Sequence, residues 1–220
     1  MKILALETAN EQCSVALVDD NQLLSFELNL EPRAQTQQIL PMIERALKQT
    51  ETTWQDVSAI AFSRGPGSFS GVRINAAVAQ ALAWTHDLPV VPVSTLRALA
   101  QHGYAEQQLN AVTAVIDARM NEVYIGSFVA DDSGIMQGTS EEQLANYIDA
   151  EQVIQHSLVG TGAKLVGQDV EPNLYYANAQ DIAFIARAEF LKGNTVSADQ
   201  ALPVYLRDNA WKKIAEQGRP

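Results

Sequence analysis

A pattern of residues near the N-terminus recurs in the middle of the chain. The segment Ile3–Thr8 consists of four mostly apolar residues, an acid and a small residue, and Thr113–Ala118 has the same order. Each is followed by a polar turn, a second apolar segment and an Asp-Asp pair that begins at Asp19 or Asp131. A repeat at half the length of a 220-residue chain indicates two similar halves, and a chance similarity of two hairpins is the alternative.

The spacing of apolar residues predicts the secondary structure of both halves. We expect strands at Ile3–Thr8, Cys13–Val18, Gln22–Leu28, Val57–Phe62, Leu88–Val93, Thr113–Ala118, Glu122–Val129 and Leu158–Val166. We expect helices at Ala34–Gln49, Ser70–Trp84, Thr95–His102 and Glu141–His156. This order resembles the duplicated α/β fold of actin, sugar kinases and Hsp70 ATPase domains, a ribonuclease H-like fold with mixed sheets and flanking helices. We therefore expect two similar halves, residues 1–103 and 104–220, with the final segment packing back on the first half.

Composition and charge narrow the class of protein. Hydrophobic residues make up 47% of the chain and charged residues 19%, which excludes a disordered or collagen-like chain. No apolar stretch approaches the length of a membrane span, and Glu7 comes too early for a signal peptide. The single cysteine, Cys13, fits a reducing cytosol, so we expect a cytoplasmic protein. The net charge of -11 repels phosphate groups, so we expect no membrane binding and only indirect contact with RNA.

The most distinctive motif is the block Arg64–Arg73, in which two glycines flank Pro66. Ser68 or Ser70 can cap a helix that starts there, and such an N-terminus could receive an anion. The glycine spacing differs from the dinucleotide-binding fingerprint, and no lysine follows as in a Walker A loop. Phenylalanine also stands where a nucleophile elbow needs serine. The residues alone favour a well-capped start of a helix over an enzyme motif.

In the actin-like fold that the element order resembles, acids that end the paired first strands face a cleft and handle metal and phosphates. Here those acids are Glu7 and Asp117, and Gly160 and Gly162 could contact a ligand near a later strand end. Neither loop after the two acids contains glycine, although phosphate needs the close backbone approach that glycine permits best. We treat these four as degenerate cleft positions and expect no intrinsic cofactor and no nucleotide turnover by the chain alone.

The sequence contains no arrangement typical of catalytic or metal chemistry. No two of the three histidines lie three to five residues apart, and none of them neighbours Cys13. Cys13 has no histidine nearby in sequence, so an inert thiol is favoured over a nucleophile. We expect no catalytic residue and no metal site.

The helix expected at Ser70–Trp84 is apolar on nearly all sides. Five of its residues are alanine, and after its first turn the polar side chains are Arg73, Asn75 and Gln80. Such a helix is covered on most faces, and alanine lets another helix approach closely. Burial within its own domain is one interpretation. The other is that this helix and the helix Ala34–Leu47 form a partner-binding face.

Three motifs together resemble one family. The glycine-proline block, the strand Ile3–Thr8 and the segment Ile116–Tyr124 are similar to those of the TsaB family, also called YeaZ, of bacterial tRNA threonylcarbamoyladenosine biosynthesis proteins. The segment Pro203–Arg207, followed by Trp211-Lys212-Lys213, resembles the C-terminal signature of its gammaproteobacterial members. The resemblance covers nearly the whole chain.

The resemblance implies a non-catalytic, activating subunit of the machinery that places a threonylcarbamoyl group on the adenosine beside the anticodon of tRNAs reading codons that begin with A. It implies the catalytic subunit TsaD and the ATPase TsaE as partners, indirect contact with tRNA, any ATP or ADP at the interface with TsaE, and a homodimer when the chain is alone. In the family, the helical face of the N-terminal half pairs with TsaD or with itself. By matching position, this role falls to Gln35, Ile39, Met42, Ile43, Ala46, Val72, Ala76, Ala79, Gln80 and Ala83.

Two alternatives remain open. An ATP-dependent kinase or phosphotransferase of the actin-like fold would hydrolyse nucleotide with magnesium and would depend on Asp117. A peptidase-like protein would be sensitive to metal removal or to inhibitors, and members of the family have carried that label.

Overall fold

The first five strands form one mixed sheet. The computed structural model describes residues 1–207. The strands are β1 (Lys2–Glu7), β2 (Cys13–Asp19), β3 (Gln22–Asn29), β4 (Val57–Ser63) and β5 (Val90–Val93). Their order in the sheet is β3-β2-β1-β4-β5, with β2 antiparallel to both β1 and β3, and with β4 parallel to β1 and to β5. The ends of β1, β4 and β5 therefore meet at one edge of the sheet.

The second sheet repeats this arrangement around a second hairpin. Its strands are β6 (Ala111–Arg119), β7 (Glu122–Ala130), β8 (Met136–Gly138), β9 (Gln143–Asn146) and β10 (Ser157–Val159). β6 and β7 are antiparallel, β10 runs parallel to β6, and β8 and β9 pair with opposite ends of β7. Both sheets thus contain a hairpin flanked by a parallel strand. The duplicated actin-like, ribonuclease H-like fold with mixed sheets that the repeat predicts is confirmed.

Helices cover both sheets. Those in the described residues are α1 (Gln35–Gln49), α2 (Phe69–His86), α3 (Thr95–Gln107), α4 (Tyr147–Gln152) and α5 (Ala179–Leu191). α1 and α2 pack on one face of the first sheet, and α3 and α5 lie in the core between the two sheets. α4 packs against the far side of the second sheet. The layers therefore alternate as helix, sheet, helix, sheet and helix.

The side chains of β1 are buried on both faces of the first sheet. Leu4 and Leu6 pack on the side of α1 and α2, whereas Ile3 and Ala5 face the core that contains α3 and α5. All four side chains are fully buried. Successive side chains of a strand point to opposite faces of its sheet. The unbroken apolar run at the N-terminus is what a strand covered on both faces requires.

The prediction of one helix over residues 141–156 is wrong for the first half of that range. β9 occupies the start of that region, and α4 is a short helix near its middle. Asn146 ends the strand and caps α4, because its side-chain oxygen accepts a hydrogen bond from the backbone N–H of Asp149 at 3.0 Å. Periodicity alone does not reveal that a single side chain divides the segment into two elements.

The expected strand at 158–166 is also too long. β10 ends at Val159, and the chain turns at Gly160, whose φ of +103° lies in a region that other residues rarely adopt. A short 3-10 helix, Ala163–Val166, takes the place of the remaining strand.

No helix was expected from the sequence where α5 lies. Its N-terminus is a capping box, in which the backbone N–H of Asn178 donates to the carboxylate of Asp181 at 2.8 Å. Ile182 and Ile185 are fully buried in the core between the sheets, and α5 packs mainly on strands of the first sheet. A segment late in the sequence therefore completes a core of the first half.

The segment 194–207 runs along the first half and then reaches the second. Val196 pairs with Val90 at the edge of the first sheet. Further on, Arg207 donates to the backbone oxygen of Ala118 at 3.1 Å and forms an ion pair with Glu122. The motif Trp211-Lys212-Lys213 lies outside the described residues.

α3 connects the two sheets, and the expected boundary between residues 103 and 104 falls within it. The division of the chain into two half-domains stays a prediction. In residues 1–207, no helix is long and apolar enough to cross a membrane.

Candidate functional site

A cleft of about 1250 Å³ opens where the first strands of the two halves end. The block 66–72 and the loop after β1 form one wall, and the end of β6 with Tyr175 and Tyr176 forms another. The segment 204–207 completes the lining. Ligands of open α/β sheets bind beyond the carboxyl ends of the strands, so this cleft is the candidate ligand-binding site.

The glycine block packs directly on the loop that follows β1. The backbone N–H of Ser68 donates to the carbonyl of Ala9 at 2.7 Å. The hydroxyl of Thr8 donates to the carbonyl of Gly71, also at 2.7 Å. A Cβ atom on Gly67 would collide with the backbone of Ala9, and one on Gly71 would collide with that of Thr8. These glycines therefore serve close backbone packing.

Polar side chains fix the start of α2 to the sheet. Ser68 caps the helix, because its hydroxyl accepts a hydrogen bond from the N–H of Gly71 at 3.4 Å. Asn75 is fully buried, and its amide donates to the carbonyl of Leu6 at 3.1 Å. The same amide donates to the carbonyl of Ser63 at 3.1 Å and to its hydroxyl at 2.8 Å. The helix is thus tied to the carboxyl ends of β1 and β4.

Glu7, at the end of β1, lies under the glycine block and does not line the cleft. Its carboxylate accepts a hydrogen bond from the backbone N–H of Ala9. Its Oε2 is buried and has no hydrogen-bond partner in the described part of the chain. Burial raises the pKa of Glu7 to about 7, although hydrogen bonds from Ser63 and Ala9 oppose that rise. The acid that ends the first strand is therefore a core residue.

A buried ion pair joins α3 to α5. Nδ1 of His102 lies 3.0 Å from Oδ2 of Asp181, and its Nε2 lies 2.9 Å from the carbonyl oxygen of Asn173. Burial lowers the pKa of His102, but the interactions with Asp181 and Asn173 outweigh this effect and raise the pKa to about 8. The charge of Asp181 also raises the pKa of Glu7. The sequence offers no signal for this pair, because its members stand far apart along the chain.

Asp117 is the degenerate cleft position that does line the cleft. Its carboxylate forms an ion pair with Arg119 at 2.9 Å, and its backbone N–H donates to the hydroxyl of Thr161 at 3.2 Å. Arg119, Met120 and Asn121 form the tip of the β6–β7 hairpin, and all three have positive φ values, between 56° and 63°. The side chain of Met120 is 80% exposed at this tip.

Gly160 and Gly162 belong to the packing of the second half. The N–H of Gly160 donates to the carbonyl of Leu174 at 2.8 Å, and that of Gly162 donates to the carbonyl of Val115 at 3.0 Å. A Cβ atom on Gly160 would collide with the backbone of Val115, and one on Gly162 would press on its side chain. Their backbone donors are therefore used within the fold.

An aromatic cluster fastens the C-terminal segment to the start of α2. The guanidinium carbon of Arg73 lies 3.5 Å from the ring centroid of Phe69 and 5.6 Å from that of Tyr205. The Nε of Arg73 also donates to the hydroxyl of Tyr205 at 2.9 Å. This contact keeps the segment 204–207 at the cleft.

The ten residues that the family resemblance assigns to a partner-binding face lie on α1 and α2, but most of them point to the sheet. Gln35 and Gln80 are partly exposed, and their amides donate to the backbone oxygens of Asn10 and Ala201. The remaining eight are at most 4% exposed: Ile39, Met42, Ile43, Ala46, Val72, Ala76, Ala79 and Ala83. Partner binding by these helices stays a prediction, and a partner would meet the neighbours of these eight side chains.

Several of those neighbours are apolar and exposed. We call Leu40 and Pro41 of α1, with Ala77, Ala81 and Trp84 of α2, the α1–α2 face. Leu40 is 49% exposed and Trp84 is 76% exposed, although both are large and apolar. These residues are not among those expected from the sequence to bind a partner. Because α2 is apolar on nearly all sides, the spacing of its apolar residues does not show which side meets the sheet.

In residues 1–207, no group of three or more His, Cys, Asp or Glu side chains is placed to hold a metal ion. Cys13 is fully buried, and burial raises the pKa of its thiol to about 12, so it stays protonated at neutral pH.

Comparison with known proteins connects these features to one family. The family model described as TsaD, tRNA N6-adenosine threonylcarbamoyltransferase, matches residues 30–187. The chain is 42% identical over 230 residues to the tRNA threonylcarbamoyladenosine biosynthesis protein TsaB of Escherichia coli, with 97% of this chain and 98% of the relative covered. It is 39% identical over 233 residues to the TsaB of Haemophilus influenzae, with 97% of each chain covered.

Solved structures give the same relationship. YeaZ from Pseudomonas aeruginosa matches with a TM-score of 0.83 at 35% identity, over 93% of this chain and 99% of that chain. A second structure from Pseudomonas aeruginosa, of an uncharacterised protein with similarity to peptidase YeaZ, matches with a TM-score of 0.85 at 36% identity, over 94% and 99%. The similarity therefore extends over nearly the whole of both chains.

Proposed function

Because this chain belongs to the TsaB family of tRNA threonylcarbamoyladenosine biosynthesis proteins, we propose that it is a non-catalytic, activating subunit in the formation of this modified nucleoside. The modified adenosine stands next to the anticodon of tRNAs that read codons beginning with A. The relatives are named for this pathway, and their names do not assign the chemical step to any one subunit.

The contact between the glycine block and the loop after β1 is the observation that supports a non-catalytic role. An actin-like enzyme needs free backbone N–H groups in that loop to hold phosphates. Here the N–H of Ala9 donates to the carboxylate of Glu7, and the carbonyl of Ala9 accepts from Ser68. The backbone N–H groups of Ala9 and Gln12 are thus bonded within the chain, which supports a scaffold whose nucleotide chemistry has been lost.

The α1–α2 face is the surface that we assign to TsaD, the catalytic subunit. Large apolar side chains such as Leu40 and Trp84, which are 49% and 76% exposed, mark a protein–protein contact where they lie together on one surface. Ala77 and Ala81 allow another helix to approach α2 closely. In the absence of TsaD, the same face pairs with a second copy of this chain, so homodimer and heterodimer exclude each other.

The remaining roles fall to partners. We assign ATP hydrolysis to TsaE and any bound ATP or ADP to the interface with TsaE. With a net charge of -11, this chain contacts tRNA through its partners, and it works in the cytoplasm.

The proposal is tested by copurification of the chain with TsaD from the same organism. Ala81→Glu and Trp84→Glu place a charge on the α1–α2 face without touching the core, so we expect each variant to stay folded and to lose TsaD. Ile148→Glu is the matched control, because Ile148 is 71% exposed on α4 and away from this face. We expect this control to bind TsaD like the wild type.

Reconstituted tRNA modification completes the test. We expect threonylcarbamoyladenosine to form with the wild-type chain, and to fall at least about tenfold without it or with Trp84→Glu. Full modification in the absence of the chain would contradict the activating role. Magnesium-dependent ATP hydrolysis by the isolated chain, abolished by Asp117→Ala, would instead support an actin-like phosphotransferase.

A further inference from the structure

A second pocket, separate from the cleft, lies between the two halves. Its volume is about 390 Å³, and it shares no lining residue with the cleft. The polar part of its lining comes from both halves and from the C-terminal segment, and includes Ser94, Gln137, Asn194 and Thr195. This volume is in the range of small-molecule sites.

Among residues 1–207, four charged side chains line this pocket, and two of them neutralise each other. Nη2 of Arg97 lies 3.0 Å from Oε1 of Glu189, and its Nε donates to the carbonyl of Met136 at 2.6 Å. Oε2 of Glu189 accepts a hydrogen bond from the amide of Asn194 at 2.6 Å. Both side chains of this pair are also hydrogen-bonded to other groups, so few of their donor and acceptor atoms remain for a ligand.

The other two charged side chains, Arg64 and Glu142, do not form such an ion pair with each other. Nε of Arg64 is buried and has no hydrogen-bond partner in residues 1–207. Glu142 feels the charge of Arg64, yet no salt bridge joins the two side chains. Burial raises the pKa of Glu142, and the interactions with Ser94 and the two arginines offset this rise only in part. A guanidinium and a carboxyl group therefore share one pocket without neutralising each other at contact distance.

We propose that this pocket binds a small zwitterion of the α-amino-acid class, with the carboxylate of the ligand on Arg64 and its ammonium group on Glu142. A guanidinium presents a planar set of N–H donors that matches a carboxylate, and a carboxylate accepts hydrogen bonds from an ammonium group. Asn194 and Thr195 offer polar contacts to the side chain of the ligand.

The charge pattern disfavours ligands with a single charge. An anion on Arg64 would also meet the carboxyl group of Glu142. A cation on Glu142 would meet the guanidinium group of Arg64. A ligand that leaves one of these charges unpaired binds more weakly than a zwitterion, which pairs both. The proposal does not rest on the proposed function, because none of these residues lies on the α1–α2 face or in the cleft.

Isothermal titration calorimetry of the full chain tests the site. The probes are L-alanine, L-threonine, L-glutamine and L-leucine at about 10 mM, which largely fills a site with a millimolar Kd. Propionate and ethylamine are the matched controls, because they are L-alanine without its ammonium group and without its carboxylate. We expect at least one amino acid to bind, and both controls to bind at least about tenfold more weakly than L-alanine or not at all.

Variants then identify the pocket. We expect Arg64→Met and Glu142→Gln each to weaken binding at least about tenfold, while Glu141→Gln and Arg33→Met, which change exposed side chains outside the pocket, leave it unchanged. If Arg64→Met fails to fold, Glu142→Gln decides, because it keeps the shape of the side chain. The proposal is overturned if no amino acid binds, if propionate or ethylamine binds as well as L-alanine, or if Glu142→Gln leaves the affinity unchanged.

Discussion

Two backbone segments come so close at the start of α2 that only glycine fits between them. Gly67 and Gly71 face the carbonyl groups of Ala9 and Thr8, and neither has space for a Cβ atom. In a sequence, the same glycines suggest a loop that cradles an anion. The structure assigns them to packing, because the backbone donor of Ser68 is bonded to the loop that they touch.

We predict that Gly71→Ala lowers the free energy of unfolding by about 2–3 kcal/mol or more, because the new Cβ atom meets backbone that cannot move aside. Alanine favours a helix by roughly 1 kcal/mol over glycine, which is too little to offset the collision. Urea unfolding measures the change. The control is Gly138→Ala, where the nearest neighbour of a Cβ atom would be an atom of Phe128 at 3.8 Å. A change of less than about 0.5 kcal/mol in both variants would show that the contact is not tight.

The buried titratable residues Glu7 and His102 make stability depend on pH in one direction. The pKa of Glu7 rises from 4.5 to about 7 on folding, and that of His102 rises from 6.5 to about 8. A group with a raised pKa contributes its full stability below the unfolded value and loses it as the pH rises through the folded value. The free energy of unfolding should therefore fall as the pH rises from 4.5 to above 8.

We predict that Glu7→Gln flattens this dependence between pH 4.5 and 7, because glutamine does not titrate. His102→Gln should flatten it between pH 6.5 and 8. Urea unfolding at a series of pH values measures both effects. A wild-type stability that stays level or rises over this whole range would show that neither group is shifted as the structure indicates.

At the scale of elements, α2 has two apolar sides with different roles. One side, which includes Ala76, Ala79 and Ala83, packs on the first sheet. The other side presents Ala77 and Ala81 to solvent. Alanine occurs on both sides, so composition and periodicity do not distinguish the core side from the α1–α2 face. The hydrogen bonds of Asn75 to Leu6 and Ser63 decide the orientation, because a buried amide needs these partners.

We predict opposite outcomes for the same substitution on the two sides of α2. Ala79→Glu buries a charge in a fully covered position, so the variant should lose more than about 4 kcal/mol or fail to fold. Ala81→Glu should change the stability by less than about 0.5 kcal/mol, because the position is exposed. Thermal and urea unfolding of the two purified variants provide the comparison. Equal stability of the two would mean that the helix is rotated from the orientation described.

At the scale of the whole molecule, the core between the sheets joins the two halves. Ile3 and Ala5 of β1 share this core with Ile182 and Ile185 of α5, although these residues lie at opposite ends of the chain. The segment 194–207 adds a further connection. Val196 pairs with Val90 of the first sheet, and Arg207 forms an ion pair with Glu122 in the second half. The two halves are similar in topology, yet the first sheet depends on a helix from the second half of the sequence.

We predict that residues 1–107, expressed alone, do not fold cooperatively. Without α5, one apolar face of the first sheet is exposed to water, and burial of that face is a main source of stability. A single chain in which residues 177–200 follow residue 107 through a flexible linker should recover cooperative unfolding, because it restores α5 and the pairing at Val196. Circular dichroism during urea unfolding distinguishes the two. A monomeric, cooperative 1–107 fragment would establish the first half as an independent domain.

The amino-acid sequence by itself determined the duplicated fold, because apolar periodicity and turn residues are local properties and the repeat displays them twice. It also indicated the capped start of α2 through Ser68 and showed that the loop after Glu7 contains no glycine. The tertiary structure alone decided which side of α2 is buried, where α5 packs, and that Arg64 and Glu142 line the same pocket. Each of these depends on contacts between residues far apart in the chain. A local pattern of apolar residues shows that a side chain is buried, but it does not show which residues will pack against it.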